Sequence, residues 1–268
     1  MNDVDISRYL SRIDLQNCGN NLEDLKLLQQ KHIQSICFEN LDVVVGRKIK
    51  LDYNHLFKKI VTSGRGGYCF ELNILYSELL KSLGFSPKPV LGRVWLRNPD
   101  ATPPRNHLAH LVKLNGETFI TDVGFGGLTT RIPLNINDSS EVNDNDGFVR
   151  IKPFDKNQYM VQRKVENDWA NQYSFETVNI SEEDIQISNY YMSTNPKSHF
   201  FNDRFIGKFT KKGRIGLFNN QMSTREGIQV INKKQIPYGS EWLDTLESEF
   251  HLTLDFSKRE LEQLFNKK

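Results

Sequence analysis

The chain has 268 residues, a formal net charge of +2 and 38% hydrophobic side chains, so it is long enough for one large domain or two to three small ones with a sizeable core. The near-neutral charge argues against nucleic acid or an anionic membrane surface as a partner. No apolar run approaches transmembrane length and the polar N-terminus lacks a signal-peptide core, so we expect a cytoplasmic protein.

The cysteines indicate neither a disulfide framework nor a metal site. Cys18, Cys37 and Cys69 form an odd, sparse set without a Cys-x-x-Cys pair. His32 lies close to Cys37 in sequence, but no second ligand pair completes a zinc site. We therefore expect no structural metal.

Helical patterns dominate up to about Gly84. Capping residues at 20–24 precede a first apolar helical run, and a second run at 51–61 begins near Asp52. After Phe70, apolar residues recur close to helical spacing until Gly84. These residues are Ile74, Leu75, Leu79 and Leu83. The spacing predicts a helix that begins at or beside Cys69.

Strand-like patterns replace the helical ones from Phe85 onward. Branched and aromatic residues predict strands at 90–96, 107–114, 118–123, 159–164 and 169–175, and further strands within 207–230. The Asn- and Asp-rich stretch 135–147 is expected to be a loop. Helices are predicted at 181–191, capped by Ser181, and at 242–250 and 257–265. Helices followed by strands and then a mixed end favour the α+β class over alternating βαβ units.

The most informative segment is the run Arg65-Gly-Gly-Tyr-Cys-Phe-Glu-Leu-Asn73. Gly66 and Gly67 allow close backbone approach, and Cys69 follows them at the expected helix start. The unpaired amides and the dipole of a helix N-terminus favour the thiolate, which is the nucleophilic form of cysteine. A buried structural cysteine ahead of a core helix is the alternative.

A cysteine nucleophile needs a base, and the base needs a group that orients it. Two strand-like runs joined by Asn115-Gly116 carry His107 and His110 on the first and Asp122 on the second. A two-residue turn places Asp122 opposite Ala109, with His107 on the same face one diagonal step away. A three-residue loop or a bulge places His110 opposite Asp122. The residues alone therefore leave both histidines open.

Several segments resemble motifs of the arylamine N-acetyltransferase family, in the same order along the chain. The cysteine segment resembles the active-site motif of that family. The other segments are Tyr9-Leu-Ser-Arg12-Ile, Phe38-Glu-Asn-Leu-Asp42, Asp122-Val-Gly-Phe-Gly-Gly127 and Asn195-Pro-Lys-Ser-His-Phe200. Cys37 stands where proline is common in the family, a departure that touches no catalytic role. Separated motifs in the right order are far more specific than any one of them.

The resemblance implies an α+β fold with a papain-like cysteine-protease-type core in three parts. These are a helical domain with the nucleophile (1–84), a β-barrel domain with the histidine and aspartate (85–190), and a linker helix with an α/β lid (191–268). It also assigns the catalytic histidine to His110, and we therefore expect an odd loop or a bulge after Leu114.

The resemblance further implies ping-pong transfer of an acetyl group from acetyl-CoA, as co-substrate, to small aromatic amines, hydrazines or N-hydroxyarylamines. An acetyl-cysteine would be the intermediate, with no tightly bound cofactor. The expected site residues are the catalytic Cys69, His110 and Asp122 and the substrate-binding Phe38, Tyr68, Phe125, Gly126 and Phe200. For the aromatic residues, ordinary core packing is the alternative.

Two acidic residues, Glu39 and Glu71, interrupt otherwise apolar segments. Arg12 and Arg65 are their candidate partners. Buried ion pairs of this kind are expected to be structural rather than catalytic.

Two other functions remain open at this point. The same triad serves papain- or transglutaminase-like cysteine hydrolases and amide transferases, which need an open peptide cleft, whereas an acetyltransferase must keep water from a reactive thioester. The second alternative is a non-catalytic binding module on the same fold. Nothing in the sequence supports it, because all three triad residue types are present.

Overall fold

The computed structural model describes residues 1–96, 100–128 and 130–266. Helices and antiparallel strands both make up large parts of these ranges, so the fold is of the α+β class. The N-terminal part contains α1 (Asp3–Arg12), α2 (Leu22–Ser35), β1 (Phe38–Glu39), α3 (Leu41–Val44), α4 (Tyr53–Leu56), a π-helical turn (Phe57–Thr62) and α5 (Cys69–Ser82). None of the helices in the described ranges has the length and apolar composition needed to cross a bilayer.

Local sequence signals account for the limits of these helices. A reciprocal capping box between Asn21 and Asp24 starts α2. Helix α5 begins at Cys69, as the apolar spacing predicts, and ends just before Gly84, which has φ +92°. The single helix predicted at 51–61 is instead α4 followed by the π-helical turn.

The middle of the chain forms an antiparallel sheet in the spatial order β5-β4-β3-β2-β9-β8-β7-β6. Its strands are β2 (Pro87–Val94), β3 (Arg105–Leu114), β4 (Glu117–Thr121), β5 (Leu134–Asn135), β6 (Val142–Asn143), β7 (Phe148–Asp155), β8 (Gln158–Val165) and β9 (Asp168–Glu176). Strand β7 was not predicted, and β6 lies inside the stretch expected to be a loop. Leu134 of β5 and Val149 of β7 share one core although they lie near opposite edges. The described strands thus form an open, curled sheet rather than a closed barrel.

The C-terminal part adds a second antiparallel sheet, in the order β1-β10-β11-β12-β13, and several helices. Its elements are α6 (Glu182–Thr194), α7 (His199–Asn202), β10 (Phe205–Phe209), β11 (Gly213–Phe218), β12 (Gln221–Glu226), β13 (Gln229–Gln235), α8 (Ser240–Ser248) and α9 (Lys258–Asn266). Ser181 caps α6, as predicted, and forms a capping box with Asp184. Phe38 of β1 pairs with Gly207 of β10 and forms a parallel bridge with Gly67. The second sheet therefore lies directly beside the loop that precedes Cys69.

Strand β3 separates two cores, because its alternate side chains point to opposite faces. Leu108 and Val112 pack in the helical core with α1, α2 and α5, whereas Ala109 and Leu111 pack in the core enclosed by the curled sheet. By the same alternation, His107 and His110 lie on opposite faces of the strand.

The β3–β4 hairpin has a regular two-residue turn. Leu114 pairs with Glu117, and His110 pairs with Thr121. Asn115 and Gly116 have φ values of 50° and 87°, the positive values that a type I′ turn requires. The expectation of an odd loop or a bulge after Leu114 is therefore wrong.

Candidate active site

The loop before Cys69 is held on both sides by backbone hydrogen bonds. The Glu39 amide donates to the Gly67 carbonyl over 2.9 Å, which fixes the loop against β1. Tyr68 has an extended backbone, and its amide donates to the Glu71 carboxylate over 3.2 Å. This cap orders the first turn of α5 and sets the position of the Cys69 side chain. Cys69 as a whole is 2% exposed.

A buried ionic cluster lies behind this loop. Arg65 contacts Glu39 over 2.8 Å and Asp42 over 2.9 Å, and Lys59 contacts Asp42 and Glu71, both over 2.7 Å. Burial raises the pKa of Glu71 to about 7, against the opposing charge of Lys59. The cluster pairs every one of its members, as buried charges require.

Arg12 and Arg65 were expected to pair with Glu39 and Glu71. Arg65 does pair with Glu39, whereas Glu71 pairs with Lys59 instead. Arg12 has a different role, since it donates to the carbonyls of Ser35 and Ile60.

His107 lies between Cys69 and Asp122. Its Nε2 is 2.7 Å from Asp122 Oδ2. The Cys69 thiol lines the same cavity, close enough to His107 to influence its pKa, and its Sγ donates to the Asn106 carbonyl over 3.8 Å. Burial opposes protonation of His107, but the charge of the Asp122 carboxylate, its hydrogen bond to the ring and the nearby Cys69 sulfur raise the pKa of His107 to about 10. The three side chains form a contiguous Cys-His-Asp arrangement.

Asp122 remains a carboxylate although it is buried. Asn73 Nδ2 donates to its Oδ1 over 2.9 Å, and the Gly124 amide donates to the same oxygen over 2.8 Å. Burial raises the pKa of Asp122, but the charge of His107 and these hydrogen bonds outweigh it and leave the pKa below its usual range. The fixed negative charge orients the imidazole and stabilises its protonated form.

The assignment of His110 to this site is corrected by the structure. Because the β3–β4 turn has two residues and no bulge, His110 lies on the face of β3 that packs on α5. There it lines a separate cleft with Ile74 and Pro89. Burial, together with the charge of Lys81, lowers the pKa of His110 to about 3. His107, the other histidine left open by the residues, takes the place beside Asp122.

Cys69 and His107 line a cavity of about 450 Å³. Phe38, Phe125 and Phe200, all expected near substrate, contribute to its wall, and Gly126 does so as well. This volume and the predominance of aromatic and other apolar side chains are typical of small-molecule sites.

Tyr68 is a second correction, because it does not line this cavity among the described residues. Its side chain is fully buried, and its hydroxyl bonds to Asn189. The ring packs behind Phe200, with ring centroids 5.8 Å apart. Tyr68 thus supports one wall of the cavity from behind.

Glycine allows the segment after Asp122 to approach the nucleophile closely. A Cβ at Gly124 would lie 2.8 Å from the Cys69 Cα, and a Cβ at Gly126 would lie 2.5 Å from the Phe38 ring. Gly126 also has φ +73°, which favours glycine. Both residues belong to the Asp122–Gly127 motif, so its glycines serve close packing around the cavity.

Three residues that support the site were not identified from the sequence. Gln29 Oε1 accepts from the Asp122 amide over 3.2 Å, Asn73 bonds the Asp122 side chain, and the Tyr173 ring packs on His107 with centroids 4.8 Å apart. Asn73 stands one helical turn after Cys69, a spacing that was available as a signal. Gln29 and Tyr173 lie on elements far from Cys69 in the sequence, so no local sequence pattern indicates that they contact the site.

Within the described ranges, no three His, Cys, Asp or Glu side chains gather in an arrangement able to hold a metal ion.

Comparison with known proteins places this chain in a family. A family model described as N-acetyltransferase matches residues 21–259. The arylamine N-acetyltransferase of Escherichia coli K12 is 31% identical over 94% of this chain and 90% of its own length. The arylamine N-acetyltransferase / N-hydroxyarylamine O-acetyltransferase of Salmonella typhimurium is 32% identical over 85% of this chain and 83% of its own length. The chain belongs to the arylamine N-acetyltransferase family.

Solved arylamine N-acetyltransferase structures share the whole fold with this chain. The Salmonella typhimurium enzyme superposes with a TM-score of 0.93 at 29% identity, covering 99% of this chain and 98% of that one. The Mycobacterium marinum enzyme in complex with CoA superposes with a TM-score of 0.92 at 28% identity, covering 98% of each chain. The family resemblance of the sequence motifs is therefore confirmed.

Proposed function

We propose that this protein transfers the acetyl group of acetyl-CoA to small aromatic amines, hydrazines or N-hydroxyarylamines through an acetyl-cysteine at Cys69. The observation that carries the proposal is the contact of Cys69, His107 and Asp122 at the wall of an aromatic cavity. Membership of the arylamine N-acetyltransferase family and similarity to a CoA complex support the acyl donor and the acceptor class.

In the first half-reaction, His107 takes the proton of Cys69 and the sulfur attacks the thioester carbonyl. The bond between the acetyl carbon and the CoA sulfur breaks, and the CoA thiolate leaves with the proton from His107. The backbone N–H of Cys69 has no acceptor within α5, because it belongs to the first turn, and it is suited to stabilise the oxyanion.

In the second half-reaction, the amine nitrogen attacks the acetyl-cysteine carbonyl. The bond from the acetyl carbon to the Cys69 sulfur breaks, and His107 passes the proton of the amine to the sulfur. Asp122 holds the imidazole and stabilises its cationic form in both halves. The aromatic walls at Phe38 and Phe125 suit an aryl ring.

A second cavity, of about 390 Å³, suits the nucleotide end of CoA. It shares Phe38 and Gly126 with the catalytic cavity and carries the cationic side chains of Lys208 and Arg225, whereas Arg214, also on its wall, is paired with Asp146. Phosphate groups bind to such cations. Lys208→Gln should therefore raise the KM for acetyl-CoA more than the KM for the amine, and an equal effect on both would argue against this placement.

The domain plan stays part of the proposal. The packing of α5 against β3, which joins the nucleophile to its histidine, supports a papain-like core. The boundaries at 84 and 190 follow the change from helices to the curled sheet and then to α6. Strand β1 of the first part nevertheless pairs with β10 of the third part.

Intact mass measurement after incubation with acetyl-CoA alone tests the function. We expect one added acetyl group on Cys69, its loss on addition of an aromatic amine, and no acetylation of Cys69→Ser. The variants Cys18→Ala and Cys37→Ala are the matched controls and should still be acetylated, since burial raises the pKa of both thiols to about 12. Hydrolysis of a peptide without formation of an acetyl-enzyme would favour the cysteine hydrolase instead.

A further inference from the structure

We infer that Asp203 makes this enzyme selective for aromatic amines that carry a second, cationic group away from the reacting nitrogen. The inference rests on the proposed function and specifies its substrate class. Asp203 lies between α7 and β10 and lines the same cavity as Cys69.

The described part of the cavity wall contains no lysine or arginine to match the charge of Asp203. Among the described residues that line the cavity, Asp203 is the one carboxylate. Cys69 and His107 together add no net charge. A neutral thiol beside a neutral imidazole and a thiolate beside an imidazolium both sum to zero. The remaining ionisable side chain of the described wall is His199.

Asp203 is held in place by hydrogen bonds rather than by an ion pair, although the charge of the neighbouring Arg204 acts on it from outside the cavity wall. Asn219 Nδ2 donates to its Oδ1 over 3.0 Å, and its backbone carbonyl accepts from Asn40 over 2.7 Å. No lysine or arginine of the described ranges forms an ion pair with the carboxylate. The neighbouring Arg204 directs its Nε and Nη2 to the Leu264 carbonyl instead. Among the described residues, the other carboxylate oxygen, Oδ2, has no hydrogen-bond or ion-pair partner, and we assign it to the ligand.

The surroundings of Asp203 strengthen its effect on a ligand. Phe38, Phe200 and Phe205 line the cavity beside it, and charges interact more strongly in such apolar, poorly hydrated surroundings than in water. An aryl ring held between these side chains can present a cationic substituent to Asp203. A carboxylated aryl amine would instead place two negative charges together, which costs affinity.

Three acceptors of matched shape isolate the charge. They are 4-(dimethylaminomethyl)aniline, which is cationic, 4-isobutylaniline, which is neutral, and 4-aminophenylacetate, which is anionic. The methylene group insulates the ring, so the reacting nitrogens stay similar. Each acceptor is also used as its 3-substituted isomer, so that the charge can reach either side of the cavity.

For wild type we expect kcat/KM for the cationic acceptor to exceed that for the anionic one by about tenfold or more. In Asp203→Asn, which keeps an oxygen for Asn219, this ratio should fall towards one. Asp203→Ser, a second uncharged variant, should give the same fall. Glu241→Gln removes an exposed charge from α8 and should keep the wild-type ratio. A wild-type ratio near one, or a ratio unchanged in Asp203→Asn, would overturn the inference.

A binding measurement separates this inference from the proposed function. The compound 4-methylbenzyl(dimethyl)amine lacks the aniline nitrogen and cannot accept an acetyl group. It should protect Cys69 from iodoacetamide at about tenfold lower concentration than 4-isobutyltoluene does, and lose this advantage in Asp203→Asn. Equal protection by both compounds in wild type would overturn the selectivity of Asp203. Absence of acetyl-Cys69 in the mass measurement would instead overturn the proposed function.

Discussion

His107 and His110 stand three residues apart on one strand, yet they have opposite electrostatic surroundings. His107 faces the Asp122 carboxylate over 2.7 Å. His110 lies on the other face, and its Nδ1 is buried without a hydrogen-bond partner among the described residues. The alternation of a strand thus separates a cationic, oriented imidazole from a neutral, buried one.

His107→Gln should nearly abolish acetyl transfer, whereas His110→Gln should retain most of it. Glutamine cannot accept and return the Cys69 proton, and in a triad the analogous losses are on the order of 10³-fold or more. The rate of Cys69 alkylation by iodoacetamide at pH 6 gives a second measurement. It should fall in His107→Gln only, and a fall in His110→Gln alone would contradict the assignment.

The two histidines should also affect stability against pH in opposite directions. Burial lowers the pKa of His110 to about 3, so between about pH 6.5 and 3 the unfolded chain binds more protons and stability is lost as pH falls. His110→Gln should therefore lose less stability than wild type between pH 7.5 and 5, measured by urea unfolding.

His107 gives the opposite dependence of stability on pH. Burial lowers its pKa, but the Asp122 carboxylate outweighs burial and raises the pKa to about 10. Its contribution is fully present below about pH 6.5, the pKa of an unfolded histidine, and is lost as pH rises through 10. Stability between pH 7 and 10 should fall more in wild type than in His107→Gln. Equal slopes in the two proteins would count against this coupling.

At the level of elements, one side chain of α2, Gln29, holds the segment that follows β4. Gln29 of α2 accepts from the Asp122 amide over 3.2 Å and from Thr121 Oγ1 over 2.8 Å, and it donates to the Thr130 carbonyl over 3.1 Å. It therefore fixes both ends of the segment that carries Phe125 into the cavity.

Gln29→Met should reduce kcat by about tenfold or more while the protein remains folded. Methionine has a similar size, but it leaves buried polar groups unpaired, at about 1–3 kcal/mol for each. Gln30→Met, on the same helix but only partly buried, is the matched control and should keep wild-type turnover. Equal kcat in the two variants, measured with saturating substrates, would show that Gln29 does not position Asp122.

The hairpin shows what the sequence could predict and what it could not. Asn115-Gly116 favours a two-residue type I′ turn, and this turn alone places His107 on the face of Asp122. The family resemblance pointed to His110, and the local physical signal was the better guide. By contrast, Gln29 could not be predicted, because it is a polar residue in a helical run and its role depends on contacts far away in the sequence.

At the scale of the whole molecule, one ionic cluster joins the nucleophile loop to the C-terminal segment. Arg65 is 1% exposed and contacts Glu39, Asp42 and Asp255, the last over 2.9 Å. Arg47 also contacts Asp255, over 2.8 Å, but lies nearer the surface. The stability of the loop before Cys69 is therefore tied to the far end of the chain.

Arg65→Met should lower the free energy of unfolding by about 3–5 kcal/mol, because it leaves the buried Glu39 carboxylate without its main partner. Arg47→Met, which breaks more exposed contacts with Asp255 and Glu260, should cost about 1 kcal/mol. Chemical denaturation followed by circular dichroism measures both. Similar losses in the two variants would show that burial of Arg65 does not decide its contribution.

The general architecture was predictable because it depends on patterns repeated along the chain. Apolar spacing at 3.6 residues gave α5, and runs of branched and aromatic residues gave β3 and β4. Strand β7 was missed although Val149 and Ile151 alternate with polar residues, because a polar loop precedes it. The open form of the curled sheet depends on strand order, which no local pattern specifies.

The pairing of β1 with β10 has a consequence for the order in which the protein becomes active. Phe38 contacts both Gly67, beside the nucleophile, and Gly207, which the ribosome synthesises much later. Contacts so distant in sequence form late in folding. A nascent chain that has exposed Cys69 therefore has no finished cavity until β10 is made, and a truncated product ending before Phe205 would carry the cysteine but lack Phe205 and the strand that pairs with β1.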